Sequence, residues 1–87
     1  MGSAYIKGHQ GSSLKNKNYC AACLKHYIGY SFPFNGIDRT IAYIPENLLR
    51  EVFLPPFEAG VVAGAMSVMI NSGDVNGVPG HANSYYI

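Results

Sequence analysis

The sequence predicts an α/β fold built on a single β-α-β unit, and three observations carry that expectation. A continuous apolar run at residues 19–24 has the composition of a strand buried on both faces. A second short apolar run occupies residues 65–71. Between them, within residues 45–62, apolar side chains recur at helical spacing. Strand, helix and strand in that order give two neighbouring parallel strands, near residues 21–26 and 67–71, joined by a right-handed helical crossover.

Taken in order, residues 2–7 read as the last turn or two of a helix, with Gly8 as its C-cap. His9 lies in a loop and is expected in solvent. Residues 12–18 are a polar linker of turn composition. The first apolar run then ends in Lys25 and His26, a cation and an imidazole at the carboxyl end of a strand. Parallel α/β sheets bind ligands there, although a Lys-His pair in that position also suits a merely solvated strand end. Residues 29–37 carry Tyr30, Phe32, Pro33, Phe34 and Gly36, which excludes a regular helix and suggests a loop over a pocket or partner surface. Pro45 suits the first helical position and Glu46 the positive end of the helix dipole. Leu49, Phe53, Phe57 and Val61 recur every four residues and form one apolar stripe for core packing. Pro55 and Pro56 interrupt it, either kinking the helix or dividing it. Residues 73–80 are dense in loop signals, and residues 81–87 read as the opening of a further helix. A chain that starts as one element ends and stops as another begins is expected to be a piece of a larger domain.

Composition narrows the function classes. With 87 residues the chain holds at most one domain, and its 48% hydrophobic content is that of a globular protein. Six Lys and Arg against five Asp and Glu give a net charge of +1, without the basic footprint of a nucleic-acid or anionic-membrane binder. No apolar stretch approaches the roughly 20 residues that span a bilayer. Residues 1–7 lack the apolar core of a secretory leader. Cys20 and Cys23 form a C-x-x-C spacing, open to a redox or zinc reading with His26 and His81 as further ligands. Against that reading, a second such pair is absent, and strand residues three apart point to opposite faces. Buried, inert thiols are the expectation.

The residues carry a more specific signal. Residues 22–30, Ala-Cys-Leu-Lys-His-Tyr-Ile-Gly-Tyr, resemble the Lys-His-Phe/Tyr motif of family 3 glycoside hydrolases, the β-glucosidase family. The likeness continues through Asp38-Arg39-Thr40 and through residues 48–57, Leu-Leu-Arg-Glu-Val-Phe-Leu-Pro-Pro-Phe. Ser67-Val68-Met69 and Val75-Asn76-Gly77-Val78-Pro79 extend it, as do residues 5–11, Tyr-Ile-Lys-Gly-His-Gln-Gly. Counting residues 67–79 as one, these are five motifs in one order, and they cover nearly the whole chain. The resemblance implies a partial (β/α)8, TIM-type barrel, because a full one needs about 250 residues. Residues 1–87 would then be about a third of the family's N-terminal barrel domain and no complete domain.

The same resemblance implies a function. The parent enzyme would be a retaining O-glycosyl hydrolase acting on a β-linked oligosaccharide or glucoside, without a cofactor or metal. Its further partners would be the remainder of the barrel and a second α/β domain, and members of the family are often secreted or periplasmic. Lys25 and His26 match the family's Lys and His that bind sugar hydroxyls in the first subsite. A lysine is a donor only and a histidine donates or accepts, so the pair can hold hydroxyls in one orientation. Met69 would line the same pocket, and Arg39 matches an arginine some members place near the sugar. Ser72 stands where many members have a tyrosine, so an aromatic sugar platform is lost. A retaining mechanism needs two carboxyl groups about 5 to 5.5 Å apart. Asp38, Glu46, Glu51, Glu58 and Asp74 match neither, so no catalytic residue is assigned and the isolated chain is expected to be inactive.

Two readings from other classes stay open at this point. One is a small carbohydrate-binding module stacking sugars on Tyr27, Tyr30, Phe32 and Phe34. The other is the C-x-x-C redox or zinc protein. A geometric expectation separates the sugar subsite from both. Adjacent strand residues face opposite ways, so Lys25 and His26 can serve one sugar only if the backbone between them departs from regular strand geometry.

Overall fold

A computed structural model describes all 87 residues. Helix α1 spans Gly2–Gln10 and strand β1 spans Cys23–Tyr27. One long helix follows in three parts: α2 at Glu46–Leu48, a π turn at Leu49–Phe53, and α3 at Leu54–Val62. Strand β2 is Ser67–Ile70, β3 is Asp74–Val75, β4 is Val78–Pro79, and a 3-10 turn covers Gly80–Ala82. β1 and β2 are parallel neighbours, with Cys23 opposite Ser67 and Lys25 opposite Met69. The expected β-α-β unit is therefore present, with β1 starting four residues and β2 two residues after the apolar runs begin.

Helix α1 runs beyond its expected end at Gly8. It closes at Gly11, whose positive φ of 55° and whose N–H to the Lys7 carbonyl make it the C-cap. Gln10, at the last position, joins three segments: its amide donates to the Gly64 carbonyl at 2.7 Å and accepts from the Ala22 N–H at 3.0 Å. α1 packs on α3, with Ile6 buried beside Gly60. A Cβ on Gly60 would lie 2.7 Å from a Leu24 methyl, so the small residue lets helix and strand approach.

The two prolines do not divide the crossover helix, which runs without a break from Glu46 to Val62. A proline cannot donate to the carbonyl four residues back and its ring crowds that carbonyl. Here the turn before them widens, with the Leu54 N–H bonding the Leu49 carbonyl five residues back. Pro55 and Pro56 then occupy the first turn of α3, where a missing donor costs little. Of the apolar stripe, Leu49 is buried and Phe53 and Phe57 are half-buried against the core, but Val61 is exposed. The core itself is small: Ile28, Ala42, Ile44, Leu49 and Val75, with Tyr27, Leu54 and Tyr86 packed on it.

The segment after β2 is organised by two asparagines. Asn76 and Gly77, at φ 55° and 89°, form the two-residue turn of a β3–β4 hairpin where only a loop was expected. The Asn76 side chain also accepts from the Ile44 N–H at 2.8 Å and donates to the Ile44 carbonyl at 2.7 Å. Asn71, fully buried, donates to the Ile28 carbonyl at 3.0 Å and accepts from the Gly73 N–H at 2.8 Å. Residues 81–87 continue the 3-10 turn only to Ala82 and form no α-helix. They fold back on α2, where the Tyr85 and Tyr86 hydroxyls reach the Glu46 carboxylate.

Candidate functional site

The carboxyl end of β1 is irregular at the point where the sequence places a cation beside an imidazole. Leu24 and Tyr27 both face the crossover helix. Leu24 touches Gly60, and the Tyr27 ring meets Phe57 edge-on at 5.1 Å between centroids. In a regular strand residues three apart face opposite ways. The strand register shows how they share a face: Lys25 pairs with Met69 and Tyr27 with Ile70, leaving His26 as an extra residue between them. The Lys25–His26 peptide bond is cis, as is Tyr27–Ile28. The strand thus departs from regular alternation at His26, between the Lys25 and Tyr27 pairings.

The four residues singled out from the sequence form a connected series rather than one enclosed cavity. Lys25 and Met69 are opposite each other across the two strands, and both are exposed. Lys25 also borders a cleft of about 710 Å³ shared with Tyr5, Ile6 and His9 of α1. His26 is half-buried, and its ring lies 4.4 Å from that of Tyr30 at a tilt of 45°. The Tyr30 hydroxyl donates to Asp38 at 2.7 Å. Arg39, at a φ of 66°, sits 4.0 Å from the other Asp38 oxygen with its side chain well exposed, so it joins the series through Asp38. The Asp38 carboxylate, by accepting the hydroxyl and by its charge, holds the Tyr30 phenol above its ordinary range.

Two further expectations are settled by geometry. The thiols are not buried: Cys20 and Cys23 are both free and exposed. Residues 20–22 precede the paired strand rather than lying within it, so the apolar run is not enclosed. Cys20 has as its neighbour His9, whose Nδ1 is 3.4 Å from the sulfur, and not Cys23 or His26. The four aromatic rings of the binding-module reading each close on a different partner: Tyr27 on Phe57, Tyr30 on His26, Phe32 on Phe53 and Phe34 on Tyr43. None of the four rings pairs with another of them.

Asn71 and Tyr30 are the residues that sequence reasoning underused. Asn71 ties the turn after β1 to the end of β2, and its signal was the Asn-x-Gly of an Asx turn. Asp74 carries one buried carboxylate oxygen without a hydrogen-bond partner.

A second polar cluster lies on α2, away from β1. Glu46 accepts from Arg50 at 2.7 Å and from the hydroxyls of Tyr86 at 3.0 Å and Tyr85 at 3.2 Å. The Tyr86 bond first, then Arg50 and Tyr85, hold the Glu46 carboxyl below its ordinary range. Burial and the same bond raise the Tyr86 phenol. A carboxylate lowered in the folded state lends stability above its unfolded pKa, which is lost as pH falls through the folded value. A phenol raised in the folded state lends stability below its unfolded value near 10, lost as pH rises through the folded one. Residues 83–87 are therefore expected to stay docked between these limits and to release on both sides. Amide hydrogen exchange at Tyr85 and Tyr86, corrected for the intrinsic rate, checks this. Protection that is flat from acid to alkaline pH would contradict it, and Glu46→Gln should abolish the acid limb.

Comparison with known proteins bears on the whole chain. The family profile "Glycosyl hydrolase family 3 N terminal domain" matches residues 1–87. The lysosomal beta glucosidase of Dictyostelium discoideum is 48% identical over 93 residues, which take in all of this chain and 11% of that protein. A beta-xylosidase of Formosa agariphila is 43% identical over 90 residues, again all of this chain and 12% of that one. Among solved structures, the beta-glucosidase of Listeria innocua in complex with isofagomine superposes with a TM-score of 0.90 at 31% identity. That match covers 98% of this chain and 12% of the Listeria chain. The chain spans little more than a tenth of the length of these relatives. Matched along its whole length in sequence and fold, it belongs to glycosyl hydrolase family 3, within the family's N-terminal domain.

Proposed function

We propose that this chain is the part of a retaining β-glycosidase that supplies sugar-binding groups of the first subsite. It would form about a third of a (β/α)8 barrel. The observation that supports the reading is the extra residue at His26, which releases Lys25 and His26 from strict strand alternation, with Lys25 paired opposite Met69. A lysine ammonium offers three donors and an imidazole a donor and an acceptor, a set suited to adjacent sugar hydroxyls. The substrate class follows from the names of the relatives, glucosidases and xylosidases, and is a terminal β-linked glucose or xylose. Lys25, His26, Met69 and Arg39 are the binding residues of this reading. The rest of the barrel would bring the nucleophile and the acid/base.

The test uses the chain in an assembled enzyme. It replaces the aligned segment of the Dictyostelium relative, and hydrolysis of 4-nitrophenyl β-D-glucoside is followed. Hydrogen bonds involving charged groups are worth about 1.5–3 kcal/mol. Lys25→Ala and His26→Ala should therefore each lower kcat/KM by about 10- to 100-fold with the fold intact. Unchanged kcat/KM in both variants would overturn the reading.

A further inference from the structure

The His26 side chain makes no hydrogen bond to the protein, although its proposed role needs a fixed ring. Something else must hold the imidazole, and the segment that follows it has the features to do so. The chain turns back immediately after Tyr27. Asn71 grips the Ile28 carbonyl at 3.0 Å. Gly29, at a φ of 82°, is packed so closely that a Cβ would lie 2.9 Å from Ile44 and 3.0 Å from Val75. This anchored turn delivers Tyr30 onto the His26 ring at 4.4 Å. The far end of Tyr30 is tethered in turn, its hydroxyl donating to Asp38 at 2.7 Å. We infer that Tyr30 is a positioning residue for His26: its ring, tethered by Asp38, sets the plane of the imidazole and leaves both ring nitrogens free for sugar hydroxyls.

The logic is that of an orienting partner that does not consume a donor or acceptor. A histidine oriented by a hydrogen bond surrenders one nitrogen to it. A ring oriented by a tilted aromatic contact surrenders neither, and such contacts are favourable at this separation. Asp38 completes the device, because an untethered tyrosine in an exposed loop would samples other rotamers. The inference rests on the sugar-binding reading of His26, so the experiment must let the two fail separately.

The assembled enzyme and 4-nitrophenyl β-D-glucoside serve again. Tyr30→Leu removes the ring and should lower kcat/KM about tenfold, the scale of an aromatic pair. Tyr30→Phe and Asp38→Ala keep a ring but remove its tether, and each should cost about threefold. The decisive readout is coupling to His26. In a His26→Ala background none of the three changes should cost anything further, because the group they position is gone. Effects that add fully in that background, or no effect of Tyr30→Leu beside active His26, would overturn the inference while the sugar-binding reading stands. Loss of that reading shows instead as an unaltered kcat/KM for His26→Ala alone. Should Tyr30→Leu fail to fold, the Tyr30→Phe and Asp38→Ala cycles with His26→Ala decide the matter by the same criterion.

Discussion

The 87-residue chain by itself is expected to release no 4-nitrophenol from 4-nitrophenyl β-D-glucoside. Retaining hydrolysis requires one carboxylate as nucleophile and a second carboxyl as acid/base, about 5 to 5.5 Å apart across the scissile bond. Two of the five carboxylates have partners of their own, and Asp74 keeps one buried oxygen without any. Glu46 is held by Arg50, Tyr85 and Tyr86, and Glu51 and Glu58 are exposed on the crossover helix. Asp38 accepts from Tyr30 and faces Arg39. It is the one carboxylate linked to His26 through contacts, and a single carboxylate is half of the machinery. Binding groups alone cannot replace a nucleophile, since a group that holds a hydroxyl opens no path to a covalent intermediate. The measurement is initial rate with pure chain, against a host extract lacking it. Turnover that survives purification and tracks the 87-residue species would show that a catalytic pair lies within these residues. Activity that appears only when the remainder of a relative's barrel is added would agree with the expectation.

What the sequence disclosed and what it withheld divide along a physical line. Apolar runs report where backbone is buried, so both strands of the β-α-β unit were legible from residues 19–24 and 65–71. Their bounds were not, because pairing starts where Cys23 meets Ser67, a fact of two segments at once. The irregularity at His26 was legible because the resemblance assigns one task to two neighbouring side chains, and strand alternation would separate them. Cys20 and Cys23 were misjudged because burial depends on what covers a run, and here little does. The π turn was hidden, since a proline pair allows a kink, a break or a widened turn, and packing of Leu49 and Phe53 selects among them. The role of Tyr30 was hidden too. Its partners, His26 and Asp38, are four residues before it and eight after, and only the anchored turn at Ile28 and Gly29 brings all three together.

Freed from any partner, the chain is expected to be either self-associated or without a cooperative unfolding transition. A folded monomer of 9.4 kDa should expose about 5,000 Å² by the usual scaling of surface with mass. This chain exposes 5980 Å², and only 11 of its 87 residues are buried. Its radius of gyration is 14.4 Å, where a compact domain of this length has about 12 Å. The excess of roughly 1,000 Å², more than half of it apolar as on most protein surfaces, represents burial forgone on the order of 10 kcal/mol. That is comparable with the whole net stability of a domain. The apolar surface is also concentrated. A groove of about 420 Å³ is lined by Tyr27, Leu54, Phe57, Val61, Val68 and Ile70. Beside it, β1 and β2 pair only with each other, so each leaves an outer edge of unpaired backbone groups. Such edges and such a groove are satisfied by further strands and helices, supplied by the rest of a barrel or, failing that, by other copies. Light scattering coupled to size separation should find species well above 9.4 kDa, or circular dichroism should show a broad, non-cooperative melt. A monomer with one sharp thermal transition would contradict the expectation. It would mean that these 87 residues form a self-sufficient domain, and it would return the carbohydrate-binding module to consideration.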